Sequence, residues 1–467
     1  MGTQMNKTEE WQRKDNHFIH PWDDVTALGE NKRTIVSSGD GIYIKDSDGN
    51  KLIDGPAGMW CVNIGHNRAE MAKAISDQVM ELSYVSPWGL ASTPAAELAA
   101  KLAQIAPGDL NHAFFTTGGS TAVDSALRFV MFRNNFLGKP EKKHVISRKN
   151  AYHGSTFLSS SASGKPRDKD FSEVDTERFH FLGDPNPYRR AKGQSVEEFR
   201  DQIVNELEQK ILEIGAEKVA VFIAEPILAS GGVIIPPEGY HKACHAICGK
   251  YDVVYISDEV VTAFGRLGHF FSSKAVFDVD ADIITSAKGL TSGYIPMGLM
   301  MVSDRLLDDL KDAEHESGIF SNGFTYSGHP VSCVAALKNI EIMERENMMQ
   351  HVQDITPYFQ EQLQSFADIP IVVNVRGMGL MGCIECEIKD ADKGDEGEHL
   401  AADYDIGNRI DKHCQELGLI VRPIINMCVF SPPLVITKPQ IDEMFSILRK
   451  GLELTMQDLK DEGLLHR

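Results

Sequence analysis

Near the start of the chain, hydrophobic and polar positions alternate with a period of about two. Between Val36 and Leu52, short β-branched runs are separated by the turn sequences SGDG and SDGN. Such a pattern is typical of antiparallel strands joined by tight turns. The sequence therefore predicts a small antiparallel hairpin region in this segment.

From about Arg68 the hydrophobic pattern changes: stretches with helical periodicity alternate with short apolar runs. Thr93 and Pro94 predict a helix start, with Thr93 as N-cap and Pro94 at the first helical position. In the stretch AAELAAKLAQIA that follows, apolar residues recur at helical spacing. The apolar runs that follow are HAFFTT, HVIS, VAVFIAEP, DVVYISDEV and DIITSAKG. Strands that alternate with helices predict an α/β fold with βαβ crossovers and a mostly parallel sheet.

After about Pro330 the chain is again rich in helix-forming sequence. The stretch VVNVRGMGLMGCIECEI predicts a pair of strands with glycine turns, and GLIVRPIINMCVFSPPLVIT follows it. An amphipathic helix is predicted from about Lys438. The stretch ADKGDEGEH, between Ala391 and His399, is predicted to be a polar loop.

Composition and charge exclude several classes of partner. The chain has 467 residues, a formal net charge of -20 and a pI of about 5.2. An acidic chain is repelled by nucleic-acid phosphates and by anionic membrane surfaces. We find neither a secretory signal nor a run of about 18 apolar residues that would span a membrane. Eight scattered cysteines indicate reduced thiols, so we expect a cytoplasmic protein.

Polar residues follow the predicted strands at the edge where ligands bind in doubly wound sheets. These residues are Thr116 to Ser120, Tyr152 to Gly154, Glu225, Asp258 and Lys288.

Each of these positions has a functional and a purely structural interpretation. The Gly-Gly-Ser sequence that ends in Ser120 is a candidate phosphate site at a helix N-terminus, or a plain turn with a serine cap. Asp258 is a candidate partner for a cationic ring nitrogen, or a helix cap. Lys288 is a candidate Schiff-base nucleophile, or a surface lysine at a strand end.

Taken together, the strand ends favour one cofactor. They supply an anion site, a flat aromatic surface, a carboxylate for a pyridine nitrogen and an amine for an aldehyde. These are the groups that pyridoxal 5'-phosphate needs. The order of these groups along successive strands makes the combination more specific than any single motif.

The sequence resembles the class III aminotransferases, the omega-transaminase group of fold-type I pyridoxal-phosphate enzymes. The resemblance runs from IHPW, near Ile19, to SPPLVIT, which ends at Thr437. The motifs that carry it are NAYHGST, FIAEPILASGGVIIPPEGY, ISDEVVTAFGRLG, ITSAKGLTSGYIPMG and FTYSGHP. It implies a mostly parallel seven-stranded sheet in a large domain (residues 68–330). It also implies a smaller α+β domain built from residues 1–67 and 331–467.

The resemblance also implies a role for each site residue. Lys288 would bind the cofactor covalently and later carry the proton, while Asp258 would pair with the pyridine nitrogen. The other implied cofactor contacts are Gly119 and Ser120 at the phosphate, Tyr152 and Val260 on the two ring faces, His153 and Glu225 near the ring, and Thr325 at the phosphate of a neighbouring subunit. A homodimer with a shared active site follows from the last of these, and a tetramer stays open.

The expected reaction moves an amino group from an ω-amino acid, a diamine or a simple amine to pyruvate or another keto acid. By resemblance, Trp60 lines the substrate pocket and Arg422 binds the carboxylate of the keto acid. Trp22 and Trp88 are looser candidates, since tryptophans commonly pack in a core. The chain departs from the family at Thr121, Val123 and Asp124, where the family commonly has Glu, Asn and Glu, and this departure bears on substrate range.

The sequence allows four other interpretations of its motifs and function. His241, Cys244, His245 and Cys248 share one helix face, but one straight helix spreads them too far apart for a tetrahedral zinc site. Cys383 and Cys386 are predicted to pack on a strand. A lyase on the same fold, which eliminates ammonia or phosphate from a phosphorylated or phosphonate amine, would have the same lysine, aspartate and phosphate site. A degenerate binding dimer is disfavoured because Lys288 and Asp258 are both present.

Overall fold

The computed structural model describes residues 7–30, 32–313, 317–388 and 403–465. The predicted polar loop between Ala391 and His399 lies outside these residues. The strands are β1 (Val36–Asp40), β2 (Tyr43–Asp46), β3 (Lys51–Asp54), β4 (His112–Thr116), β5 (His144–Arg148), β6 (Phe179–Leu182), β7 (Val219–Ala224), β8 (Val254–Asp258), β9 (Ile283–Ser286), β10 (Gly298–Val302), β11 (Val372–Met378), β12 (Met381–Cys386), β13 (Leu419–Ile420), β14 (Arg422–Ile424) and β15 (Met427–Phe430).

Helices surround these strands and connect most of them. They are α1 (Lys7–Asp15), α2 (Ala57–Trp60), α3 (Ala69–Glu81), α4 (Thr93–Ile105), α5 (Gly119–Phe136), α6 (Phe157–Ala162), α7 (Val196–Ile214), α8 (Tyr240–Lys250), α9 (Ser272–Phe277), α10 (Asp304–Lys311), α11 (Pro330–Arg345), α12 (Met348–Gln364), α13 (Asp403–Leu417) and α14 (Lys438–Asp461). No helix in the described ranges is long and apolar enough to cross a membrane.

The central sheet has seven strands in the order β4-β10-β9-β8-β7-β5-β6. Strands β5 to β9 run parallel, whereas β10 is antiparallel to both β4 and β9. The prediction of a mostly parallel α/β sheet is confirmed. The sequence patterns missed β6 and β10, because periodicity alone does not separate a short apolar run from a buried helical segment.

Two four-stranded sheets complete the fold. The predicted hairpin region forms β1, β2 and β3, and β13 adds to β3 in parallel through Leu419 and Ile53. The predicted strand pair with a glycine turn is β11 and β12, which joins β15 and β14. The addition of β13 joins segments far apart in sequence, so no local pattern indicated it. The division of the chain at residues 67/68 and 330/331 stays a prediction.

The start of α4 differs by one residue from the prediction. Ser92, not Thr93, is the N-cap, since its side chain accepts a hydrogen bond from the backbone N–H of Ala95 at 3.4 Å. Ser92 has extended backbone angles, as an N-cap requires, whereas Thr93 is already helical. Pro94 is therefore the second helical residue rather than the first, and it still lies in the first turn.

The cysteine and histidine motifs lie in the core. In α8, both ring nitrogens of His241 have protein partners, at 2.8 Å from the hydroxyl of Tyr255 and 2.9 Å from the carbonyl oxygen of Pro226. Cys244 and Cys248 are fully buried on the same helix, and Cys383 and Cys386 are fully buried in β12. These side chains serve packing, as buried thiols and hydrogen-bonded imidazoles commonly do.

Candidate active site

A pocket opens at the carboxyl ends of β7, β8 and β9, where parallel sheets place their ligands. Its volume is about 150 Å³, and we call it the inner pocket. Of the predicted site residues, it is lined by Trp22, Trp60, Gly119, Ser120, Tyr152, His153, Glu225, Asp258, Val260 and Lys288. Residues from seven separate segments of the chain thus meet around one small space.

Lys288 lies two residues beyond β9 and is largely buried. Its φ angle is 44°, a left-handed conformation that is rare for lysine and clusters at functional sites. Asn339 holds the following turn, because its side-chain amide donates to the carbonyl oxygens of Gly289 at 2.8 Å and Leu290 at 3.0 Å. Burial lowers the pKa of Lys288, although the carboxylates of Asp258 and Glu225 oppose this shift. The surface-lysine interpretation is therefore wrong.

Asp258, the last residue of β8, is 4% exposed and is fixed by three hydrogen bonds. The Nδ1 of His153 lies 2.7 Å from one carboxylate oxygen, while the N–H of Val260 and the hydroxyl of Thr285 donate to the other at 3.2 and 3.3 Å. No described helix begins after it until α9 at Ser272, so Asp258 is not a helix cap.

The start of α5 is open to an anion. Gly118 is its N-cap and, in this described stretch, no side chain caps the helix. The hydroxyl of Ser120 instead accepts a hydrogen bond from the N–H of Ser155 at 3.0 Å, so the serine-cap interpretation is wrong. Uncapped N–H groups and the positive end of the helix dipole favour a bound phosphate. A Cβ atom on Gly119 would lie 3.0 Å from Val260, which explains the need for glycine there.

Glu225 positions Tyr152 through a hydrogen bond to its backbone. Its carboxylate accepts hydrogen bonds from the N–H of Tyr152 at 2.9 Å and from the N–H of Ala229 at 3.0 Å. Burial raises the pKa of Glu225, opposed by His153 and these two backbone donors. The tyrosine ring is thereby held at the wall of the pocket, with the ring of Trp22 at 6.0 Å edge to face.

A larger cavity of about 770 Å³, the outer pocket, adjoins the inner one. Trp22, Trp60, Tyr152 and Lys288 line both pockets. Arg422, the first residue of β14, lines the outer pocket only. The Trp60 ring contacts both cations, since the Lys288 Nζ and the Arg422 guanidinium carbon are each 5.6 Å from its centroid.

Two orphaned polar atoms border this region. The indole Nε1 of Trp60 and the Nε of Arg422 are buried and have no hydrogen-bond partner in the described part of the protein. Asp54 holds the turn that carries Trp60, because its carboxylate accepts a hydrogen bond from the N–H of Gly58 at 2.8 Å. Unpaired buried donors are rare in folded proteins, so they indicate a region prepared for a ligand.

The structure does not bring every candidate into the pockets. Thr325 is exposed and lines neither of the two pockets, and its carbonyl oxygen accepts a hydrogen bond from the hydroxyl of Tyr84 at 2.9 Å. Trp88 is 92% exposed and also lines neither pocket. Trp22, rated equally loose from sequence, does join the site.

The departures from the family pattern lie on α5. Thr121 donates its hydroxyl hydrogen to the carbonyl oxygen of Gly118 at 2.8 Å, and Val123 is fully buried. The carboxylate of Asp124 accepts a hydrogen bond from the N–H of Ser159 at 2.7 Å. Asp124 therefore joins α5 to α6, and none of the three residues lines either pocket.

Sequence reasoning missed several lining residues. Small and apolar residues of the inner pocket carried no chemical signal, and the outer pocket contains four charged residues outside the recognised motifs. The missed residues are Met59, Ile227, Ala229, Ser230, Val261, Thr262 and Ala287 in the inner pocket, and Asp23, Lys165, Arg167 and Asp168 in the outer one. Ser230 could have been predicted from the sequence, since it lies inside the FIAEPILASGGVIIPPEGY motif.

The donor set fits an aromatic aldehyde phosphate. A largely buried amine, a carboxylate, an uncapped helix N-terminus and an aromatic wall surround one pocket of about 150 Å³. An amine binds an aldehyde, a carboxylate pairs with a ring nitrogen, and helix N–H groups bind phosphate. Pyridoxal 5'-phosphate is the cofactor that combines these three needs.

Comparisons with known proteins agree with this chemistry. The family described as "Aminotransferase class-III" matches residues 26–452. A putrescine–pyruvate aminotransferase of Pseudomonas aeruginosa is 40% identical over 452 residues, which cover 96% of this chain and 97% of that protein. The mitochondrial gamma-aminobutyrate transaminase 1 of Oryza sativa subsp. indica is 36% identical over 97% of this chain and 87% of that protein.

Solved structures give the same answer. The omega-transaminase from Pseudomonas jessenii in complex with PMP superposes with a TM-score of 0.91 at 34% identity, covering 96% of this chain and 98% of that one. An (S)-enantioselective omega-transaminase from Thermomicrobium roseum has a TM-score of 0.90 at 36% identity, over 96% and 99% of the two chains. With the fold-type I architecture and the cofactor chemistry in agreement, the chain belongs to the class III aminotransferases and is a pyridoxal-phosphate-dependent transaminase.

Proposed function

We propose that the inner pocket is the catalytic centre of this transaminase, with Lys288 as the catalytic residue. The observation that carries the proposal is the convergence of Lys288, Asp258 and the open start of α5 on one pocket of about 150 Å³. The three groups come from three different connections of the central sheet. No simpler structural need accounts for a buried lysine and a buried aspartate on the same cavity wall.

Pyridoxal phosphate supplies an electrophilic carbon and an electron sink. Lys288 would hold the cofactor covalently and, once released, would carry the substrate proton on its Nζ. Its lowered pKa increases the fraction of free base, which both roles require. Asp258 would keep the ring nitrogen protonated, and His153 holds the Asp258 carboxylate in one orientation.

The remaining contacts position the ring. The first N–H groups of α5 and the Ser120 hydroxyl would bind the phosphate, while Val260 and Tyr152 would contact the two faces of the ring. Val260 packs against Gly119, so the phosphate site and the ring site are built as one unit. This coupling restricts the reacting carbon to one place beside Lys288.

The outer pocket would receive both substrates in turn. The unpaired Nε of Arg422 and its position against Trp60 suit a carboxylate, which a guanidinium binds through two parallel hydrogen bonds. We therefore assign Arg422 to the carboxylate of pyruvate or another keto acid. The named relatives act on putrescine and gamma-aminobutyrate, so ω-amino acids and diamines are the donor classes to test first. Because these relatives are aminotransferases, the comparisons do not support the lyase alternative.

We propose a homodimer that works in the cytoplasm. Thr325 is exposed and lines neither pocket of its own chain. Large apolar side chains are also exposed, with Trp88 at 92%, Ile319 at 76% and Tyr326 at 60%. Exposed apolar and aromatic side chains of this size are enriched at protein interfaces. The eight free cysteines support a reducing compartment.

The decisive variant is Lys288→Ala. It should abolish turnover and the visible absorbance of the lysine-bound cofactor. Lys242→Ala is the matched control, because Lys242 is 67% exposed on α8 and pairs only with Asp278 among the described residues. Should Lys288→Ala retain full turnover while it binds the cofactor normally, Lys288 is not the catalytic lysine and the proposed centre is wrong.

A further inference from the structure

Lys165 is a cation in the wall of the outer pocket that no motif and no comparison assigned. It lies between α6 and a short helical turn at Pro166–Asp168, and its Nζ donates to the carbonyl oxygen of Ser230 at 2.6 Å and to the Ser230 hydroxyl at 2.8 Å. An ammonium group has three N–H donors. Two of them anchor Lys165 to Ser230, so one donor remains for the pocket.

The anchor places this charge next to the substrate space. The Nζ of Lys165 lies 5.8 Å from the ring centroid of Tyr152, which lines both pockets. Lys165 lines only the outer pocket, as Arg422 does. It therefore meets the part of a substrate that extends away from Lys288.

The carboxylates that line the outer pocket have closer cations of their own. Asp23 is 2.7 Å from the guanidinium of Arg33, and Asp168 is 3.4 Å from that of Arg167. Neither Lys165 nor Arg422 has a carboxylate oxygen within 4.0 Å in the part of the chain that the structure describes.

Lys165 and Arg422 are partly buried. A bound ion of opposite charge relieves the cost of dehydrating a charged group that lacks an ion-pair partner. A carboxylate at the far end of a donor would supply it. An ammonium at the same place would add a like charge to two cations in a partly dehydrated space.

We propose that Lys165 is a specificity-determining residue that, with Arg422, makes the outer pocket select amino donors with a distal carboxylate over donors with a distal ammonium. This inference rests on the proposed function, because it takes the inner pocket as the place of amine transfer. It narrows the donor to ω-amino acids, even though a named relative acts on a diamine.

The test uses three four-carbon donors that differ only in the distal group: 4-aminobutyrate, butylamine and putrescine. The holoenzyme is mixed with each donor without an acceptor, and the loss of the visible absorbance of the lysine-bound cofactor gives the rate of the donor half-reaction. In Lys165→Gln, the ratio of kcat/KM for 4-aminobutyrate to that for butylamine should fall about tenfold or more. The ratio for putrescine to butylamine should rise in the same variant.

Lys165→Arg is the matched control, since it keeps the positive charge and should keep most of the preference for 4-aminobutyrate. If Lys165→Gln slows the three donors equally, the residue is merely structural and the inference is overturned. The inference is also overturned if the wild-type enzyme prefers putrescine to 4-aminobutyrate. If the wild-type holoenzyme reacts with none of the three donors, the result contradicts the proposed function itself rather than the role of Lys165.

Discussion

The Nδ1 of His153 lies 2.7 Å from a carboxylate oxygen of Asp258, and both side chains are less than 5% exposed. The other ring nitrogen of His153 lies 3.2 Å from the hydroxyl of Ser147 in β5. The imidazole thus connects two strands and fixes the carboxylate by a charge-assisted hydrogen bond. His153 would be a positioning residue in this arrangement, because it would act on the cofactor through Asp258.

Replacing His153 should therefore weaken cofactor binding. His153→Ala leaves one oxygen of a buried carboxylate without its strongest donor, so the Kd for pyridoxal phosphate should rise about tenfold. His153→Gln restores an N–H donor and should recover part of the affinity. The measurement is a fluorescence titration of the apoenzyme, together with the absorbance maximum of the bound cofactor, which reports the state of its ring.

His112→Ala is the control, because His112 is exposed on β4 and pairs with Asp304. An unchanged absorbance maximum and an unchanged Kd in His153→Ala would show that this histidine has no influence on the cofactor.

Arg422→Ala should reduce the use of acceptors that carry a carboxylate. Loss of a charge-assisted contact predicts a fall of about 10- to 100-fold in kcat/KM for pyruvate. Propanal also has three carbons and a carbonyl group but no carboxylate, so its kcat/KM should change much less. Steady-state kinetics with one fixed donor measure both values, and Arg422→Lys tests whether charge alone suffices. An equal loss with pyruvate and propanal would remove Arg422 from the acceptor site.

Thr325 should contact the cofactor phosphate in the active site of the neighbouring subunit. Thr325→Glu places a negative charge where the partner's phosphate would bind, and should inactivate the homodimer by repulsion. Lys288→Ala is inactive for a different reason. When the two variants are co-expressed, a mixed dimer contains one intact site, with Lys288 from one chain and Thr325 from the other. Activity should therefore reappear in the mixture, as measured by alanine formation from pyruvate.

Two controls accompany this experiment. The mass in solution should be that of a dimer, and a mixture of two separately purified homodimers that do not exchange should stay inactive. Mixed dimers without any recovered activity would contradict a shared site.

The preference for a distal carboxylate should depend on pH. Burial lowers the pKa of Lys165 to about 8, and the charged groups that influence it are Glu225, Asp168, Arg167 and Arg422. Below pH 8 the ammonium is charged and attracts a carboxylate, whereas the neutral amine formed above pH 8 does not. The ratio of kcat/KM for 4-aminobutyrate to that for butylamine should therefore fall as pH rises through about 8. Lys165→Gln should lose this step, and a wild-type ratio that stays flat between pH 7 and about 9.5 would contradict it.

The sequence by itself determined the class of fold and the chemistry of the inner pocket. Strands β7, β8 and β9 are local apolar runs, and Glu225, Asp258 and Lys288 lie at or just beyond their carboxyl ends. Parallel strands bring these ends to one edge of the sheet. Asp258 and Lys288 were for this reason recognisable without coordinates. The motifs around them are contiguous in sequence, so each motif contains both the reactive side chain and the turn that positions it.

Tertiary structure decided what surrounds that chemistry. The Trp60 ring centroid lies 5.6 Å from both the Lys288 Nζ and the Arg422 guanidinium carbon, although Arg422 is more than 350 positions away in the chain. The pairing of β3 with β13 joins segments equally distant in sequence. The anchoring of Lys165 by Ser230 depends equally on two loops with no shared pattern. Periodicity reports which face of an element is buried, but it carries no information on which distant side chain packs against it. The charge of the outer pocket, and with it the proposed selection of donors, is a property of the folded chain alone.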